Sequence, residues 1–140
     1  MWWRVAERYN LADLLATVPN IAVYGEVYGQ VQDLKYGVGR DEYRLTVFDA
    51  MDTMTRRYLD YYDMVALVDR LGLPRVPILY NGPWYPDLAS LANGKTTMFD
   101  ADHVREGIVI KPVHERFDDR VGRVVLKLHG EDYLLRKEKK

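Results

Sequence analysis

The stretch that decides the fold is Arg105–Lys137, REGIVIKPVHERFDDRVGRVVLKLHGEDYLLRK. A Glu-Gly pair opens a β-branched run that ends in Lys111-Pro112. A second apolar run, RVVLKL, carries Lys127 near its end. Lysine is depleted from strands and is rarely fully buried unless something pairs with it. Two strands that each carry a lysine at this place point to an anion held between the two ammonium groups. The charged loop VHERFDDRVG is short enough to join the two runs as an antiparallel pair. A parallel pair needs a longer crossover.

Upstream, the same alternation of elements continues. NLADLLATVPN places Leu11, Leu14, Leu15 and Val18 on one helical face, with Asn10 as N-cap, Asp13 as the capping-box residue and Pro19 as the stop. In IAVYGEVYG, period-two alternation sends Ile21, Val23 and Val27 to one face and Tyr24, Glu26 and Tyr28 to the other. Gly25 and Gly29 flank Glu26 and leave room for a ligand to approach the backbone. DLKYGVGRDE is turn-rich. YRLTVFDA is a second strand, with Leu45 and Val47 on one face and Thr46 and Phe48 on the other. Asp60–Leu71 has helical spacing, striped by Tyr61, Val65 and Val68 and closed by Gly72 and Pro74. RVPILY is expected as a short strand, NGPWYP as a turn and Asp87–Leu91 as a short helix. DYLLRK fits either a strand or a helix. Interleaved helices and strands with an antiparallel closing pair make the chain α+β, a mainly antiparallel sheet with packed helices.

Composition narrows the function. The 140 residues are expected to form one domain. The formal net charge of -1 excludes a general nucleic-acid-coating protein, so any RNA contact must come from a local patch. Only the tail from Arg136 to Lys140 is plainly basic. Without cysteine there is no disulfide, thiolate metal site or cysteine nucleophile. That fits a reducing, cytoplasmic setting. No apolar run approaches membrane-spanning length, so no membrane partner is expected. The 11 tyrosines serve either as core or as stacking surfaces for bases. Trp2 and Trp3 are expected to pack against the first helix. His103, His114 and His129 show no metal-ligand spacing.

An aromatic plate, a carboxylate and two ammonium groups suit a nucleotide. The ordered set YGEVYG, YRLTVFDA, REGIVIKP and RVVLKLHGEDYLL resembles the covalent nucleotidyltransferase superfamily of polynucleotide ligases and RNA-capping enzymes. It is most similar to ATP-dependent RNA ligases of the duplex-RNA-repair branch, from the first helix to about Arg136. The resemblance implies an ATP-grasp-like ligase catalytic domain that uses ATP and Mg²⁺ or Mn²⁺ and acts on RNA ends. It implies that Tyr24 and Glu26 lie in the motif that contacts the ribose, and that Phe48 stacks on adenine. It further implies that Glu106 organises the metal and phosphates, and that Lys111 and Lys127 contact the phosphate.

Two departures stand beside the resemblance. The family attacks ATP with a lysine in Lys-x-Asp-Gly, and the 140 residues contain no such motif; Lys35-Tyr36-Gly37 lacks the aspartate. The expectation is a partial domain over 1–140, the C-terminal half of the catalytic domain, lacking the segment with the nucleophile. A missing N-terminal half or partner chain, and self-association through exposed strand faces, follow from it. The alternative is a non-catalytic nucleotide- or RNA-binding module. Where some members have Lys-x-Lys, the second position here is His129, read as a surface residue. Asp49 and Asp52 form a candidate carboxylate pair. Glu106 and Lys111 stand an odd number of residues apart, so either Glu106 precedes the regular strand or a bulge intervenes.

Overall fold

Helix α1 (Trp2–Arg8) and helix α2 (Leu11–Ala16) lead into strand β1 (Ile21–Gly29). The computed structural model describes residues 1–30, 34–98 and 101–138, with side chains described as far as residue 136. Asp33 of the turn-rich segment and the last two residues of the basic tail lie outside the described residues. Two compact units divide the chain. The first comprises residues 1–76 and 113–115, the second residues 77–112 and 116–140.

In the first unit, β1 pairs antiparallel with β2 (Tyr43–Asp52), which pairs antiparallel with the short β3 (Arg57–Tyr58). Helix α3 (Tyr61–Arg70) follows. The expected alternation holds along β1 and, in β2, as far as Val47. Val27, Leu45, Val47 and Ala50 meet Val5, Val18, Met64, Leu67, Val68 and Leu71 in one core, with Leu11, Leu14, Leu15, Ile21 and Val23 packed around it. Fully burying each such aliphatic side chain stabilises by roughly 1.5–3 kcal/mol. Alternation puts Tyr28 on the opposite sheet face. It is buried there with Leu34, Tyr36 and Val38, its ring edge-on to Tyr36 at 5.7 Å.

Local details differ from expectation. Asn10 sits in the left-handed region (φ 48°) and its side chain makes no cap bond, so the Asn10–Asp13 capping box does not form. Helix α1 ends so close by that the chain must reverse at Asn10 instead of entering α2 extended. Trp2 and Trp3 belong to α1 and point to solvent, because Val5 is the residue α1 turns into the core. RVPILY is not a strand. Val47 N donates to Pro74 O and Val76 N donates to Val47 O, giving a single parallel bridge at Arg75, and Ile78 and Leu79 are exposed beyond it. Gly25 and Gly29 do not open space for a ligand. A Cβ on Gly25 would lie 2.7 Å from Thr46 O, and one on Gly29 2.6 Å from Glu42 O. These glycines let neighbouring backbone approach.

In the second unit, a 3₁₀ helix (Pro86–Ala92) precedes strand β4 (Gly107–Ile110). A small hairpin of β5 (Phe117–Asp118) and β6 (Gly122–Arg123) forms within the charged loop. Strand β7 (Leu126–His129) then pairs antiparallel with β4, and α4 (Glu131–Glu138) closes the chain. The Arg105 guanidinium donates to the carbonyls of Leu91, Asn93 and Lys95, and Asn93 Oδ1 accepts from Glu131 N at the start of α4 (2.7 Å). The core here is small: Leu88, Ala92 and Tyr133 are the buried apolar residues among those described.

Candidate nucleotide site

One group of candidate residues lies on the sheet of the first unit. Tyr24 pairs with Asp49, and the next pair is Gly25 with Val47, so Phe48 is the extra residue of a β-bulge. The bulge shifts the alternation of β2. Leu45 and Val47 face the core before it, and Ala50 after it. A bulged residue is re-aimed out of the ladder, and Phe48 is 40% exposed in a strand whose neighbours are buried. Simple alternation had placed it beside Thr46. Glu26 pairs with Thr46 and is exposed. The Tyr24 ring packs on Tyr58 at 5.6 Å, and its hydroxyl reaches Met51 Sδ at 3.8 Å.

Tyr28 ends this row. Burial raises its phenol from 10.0 to about 12, with smaller opposing influence from Arg44, so it stays neutral. Asp49 and Asp52 accept from different backbone amides. Asp49 is buried opposite Tyr24, and its Oδ1 accepts from Ala50 N (3.2 Å). Asp52 Oδ1 accepts from the amides of Met54 and Thr55 and shapes the turn to β3.

The second group lies on the β4–β7 pair of the second unit. Val109 faces Lys127 and Gly107 faces His129, so Lys127 and His129 share one sheet face. Glu106 precedes β4, which settles the parity question without a bulge. From there its Oε1 lies 3.4 Å from Lys127 Nζ and 3.7 Å from His129 Nε2. Gly107 is required at this entry, since a Cβ there would stand 2.1 Å from Leu128 O. Lys111 follows β4 directly. His129 is exposed, as expected, and its ring stacks on Tyr133 at 5.8 Å. Its signal was its place two residues after Lys127 on one strand face.

Lys127 is 58% exposed and Glu106 33%. An ion pair this open contributes only about 0–1 kcal/mol to stability. Exchanging either partner for another charged group therefore costs little. Among the described residues no group of three or more His, Cys, Asp and Glu side chains gathers to hold a metal ion. Glu106 offers one carboxylate, a set that suits Mg²⁺ or Mn²⁺ only where phosphate oxygens and water complete the shell. No helix among the described residues is long and apolar enough to cross a membrane.

Comparison with known proteins bears on this arrangement. No curated protein sequence matches the chain. Solved structures similar to it include a mutant Naegleria gruberi RNA ligase with AMP and Mn, at a TM-score of 0.79 and 21% identity. The same enzyme with PPi matches at 0.78 and another mutant with ATP and Mn at 0.77, both at 21% identity. Each match covers 99% of this chain and 41% of the other, so the chain spans about two fifths of their length. At that identity the likeness establishes the fold, a mixed helix and antiparallel-sheet architecture like that of the ligase. The RNA ligase family model matches residues 2–129, nearly the whole chain, and the chain belongs to the RNA ligase family.

Proposed function

We propose that this chain supplies the nucleotide-binding strands of an ATP-dependent RNA ligase catalytic domain. Phe48 stacks on adenine, and Tyr24 and Glu26 take the ribose. Lys111 and Lys127 neutralise the phosphate, and Glu106 offers its carboxylate to Mg²⁺ or Mn²⁺. The metal's part is to offset phosphate charge, since phosphoryl transfer depends mainly on positioning and electrostatics. The observation that carries the assignment is the open Glu106–Lys127 pair at the entry to β4, a carboxylate and an ammonium held together where little stability follows from it. The similar Naegleria structures, solved with AMP or ATP and Mn, support it.

The reaction joins an RNA 5′-phosphate to a 3′-hydroxyl. A lysine nitrogen attacks the α-phosphorus of ATP and pyrophosphate leaves. The AMP passes to the 5′-phosphate, and the lysine is released. The 3′-hydroxyl then attacks that phosphate, and AMP departs. The 140 residues contain no Lys-x-Asp-Gly, so the attacking lysine comes from outside them. The chain thus acts as residues 1–140 of a partial catalytic domain, completed by further sequence or a partner chain.

The absence of that motif also favours a second reading for this chain by itself, a module that binds nucleotide or RNA without forming a covalent intermediate. Incubation with α-labelled ATP and Mn²⁺, followed by denaturation, separates the two. Reversible binding with no label surviving denaturation is expected. Label retained on this chain would place an attacking lysine within the 140 residues and overturn the assignment of that step. GTP competition and DNA substrates distinguish an RNA ligase from its capping and DNA-joining relatives.

A further inference from the structure

Thr46 and Asp49 are the buried polar residues among those described, each 3% exposed. Both lie on β2, and they differ in what they meet. Asp49 Oδ1 accepts from Ala50 N, whereas Thr46 Oγ1 is buried with no hydrogen-bond partner. A hydroxyl taken out of water without a partner is costly, and few buried polar groups in folded proteins stay in that state.

Thr46 stands between Leu45 and Val47, which face the core, so its side chain lies on the opposite face of the sheet. Directly across the ladder is Glu26, on that same face and exposed. Side chains opposed in this way have Cβ atoms about 4.5–5.5 Å apart. A threonine hydroxyl can donate across that distance to a glutamate carboxylate, which only accepts. The register of the pair is well fixed. Gly25 lets β1 approach so closely that a Cβ there would stand 2.7 Å from Thr46 O, and the bulge follows one pair farther along. The two side chains also differ in freedom. Threonine is branched at Cβ and stiff at χ1, whereas an exposed glutamate has rotamer freedom to lose when it orders on a ligand. A donor already fixed beside the carboxylate lowers that loss.

We infer that Thr46 is a positioning residue for Glu26: its buried hydroxyl donates to the carboxylate as that carboxylate accepts a ribose hydroxyl. This rests on the assignment of Glu26 to the ribose. The test compares the wild-type chain with Thr46→Val, Thr46→Ser, Glu26→Ala and the double variant of Thr46→Val with Glu26→Ala. Valine replaces the hydroxyl by a methyl group and suits a strand equally well. Calorimetry measures affinity for AMP and for 2′,3′-dideoxy-AMP, and urea denaturation measures the stability of each chain without nucleotide.

The wild-type chain should bind AMP several-fold more tightly than the dideoxy compound. Thr46→Val should lose most of that preference by weakening AMP alone, and Thr46→Ser should keep most of it. In the Glu26→Ala background, Thr46→Val should have no further effect on the preference. Thr46→Val should also be at least as stable as wild type, since the hydroxyl it removes has no partner to lose. A preference that Glu26→Ala abolishes and Thr46→Val leaves intact would overturn this inference alone. Equal losses for the two nucleotides in Thr46→Val, or a clear loss of its stability, would do the same by showing a merely structural role. A wild-type chain that binds neither compound, or both alike, would overturn the assignment of Glu26 to the ribose and this inference with it.

Discussion

The first unit encloses an apolar core in which Val47, Ala50 and Val68 are fully buried, whereas the second leaves Val109, Leu126 and Leu128 of its β4–β7 pair open to solvent. The first is held by side-chain packing of helices on a sheet. The second is held mainly by backbone pairing and by polar side chains that satisfy carbonyls, with Arg105 at the centre. Under the proposed assignment, the aromatic and ribose candidates lie in the first unit and the phosphate candidates in the second.

The sharpest way to break this comparison is to remove equal volumes from both units. Leu67→Ala should cost about 2–5 kcal/mol, as buried leucine truncations do. Leu126→Ala should change stability by less than about 0.5 kcal/mol, as exposed substitutions do. Urea denaturation of both variants checks this, and similar losses would mean that the second unit depends on packing after all.

Next in size is an alkaline transition of the first unit. Burial raises the Tyr28 phenol from 10.0 to about 12. A group raised in the folded state contributes stability that is complete below its unfolded value and is lost as pH rises through the folded one. The window is therefore about pH 10 to 12, with a loss of roughly 2–3 kcal/mol across it. Tyr28→Phe should flatten that decline, which thermal melts across the pH range would reveal.

In the second unit, Arg105→Ala should cost about 1–3 kcal/mol by leaving carbonyls without their donor. Arg105→Lys should not restore it, because one ammonium cannot reproduce the planar fork. Faster hydrogen exchange in the 3₁₀ helix (Pro86–Ala92) and around Gly94 is the readout.

The same contrast explains what could be read from the sequence. Strands β1 and β2 were legible because one face is buried, and burial imposes alternation on Ile21, Val23, Val27, Leu45 and Val47. The bulge at Phe48 was not, since both the regular and the bulged register bury Leu45 and Val47 and differ only beyond them. In the second unit, β4 and β7 were legible as an antiparallel pair from their β-branched runs and short connection. The closeness of Glu106 to Lys127 and His129 depends on Glu106 lying just outside the ladder, which apolar periodicity does not record. The hydrogen bond between Asp60 and His114 joins residues 54 positions apart, and local pattern carries no trace of it. Helix α1 escaped notice because a single buried residue, Val5, gives no periodic stripe.

The most direct test of the proposed nucleotide assignment is a calorimetric titration of the chain with AMP, in wild type, Phe48→Ala and Lys127→Ala. The account predicts saturable binding that each substitution weakens by about tenfold, in line with roughly 1–3 kcal/mol for a lost stacking partner or a lost charge-assisted contact. Absence of binding, or binding that neither substitution weakens, would contradict it.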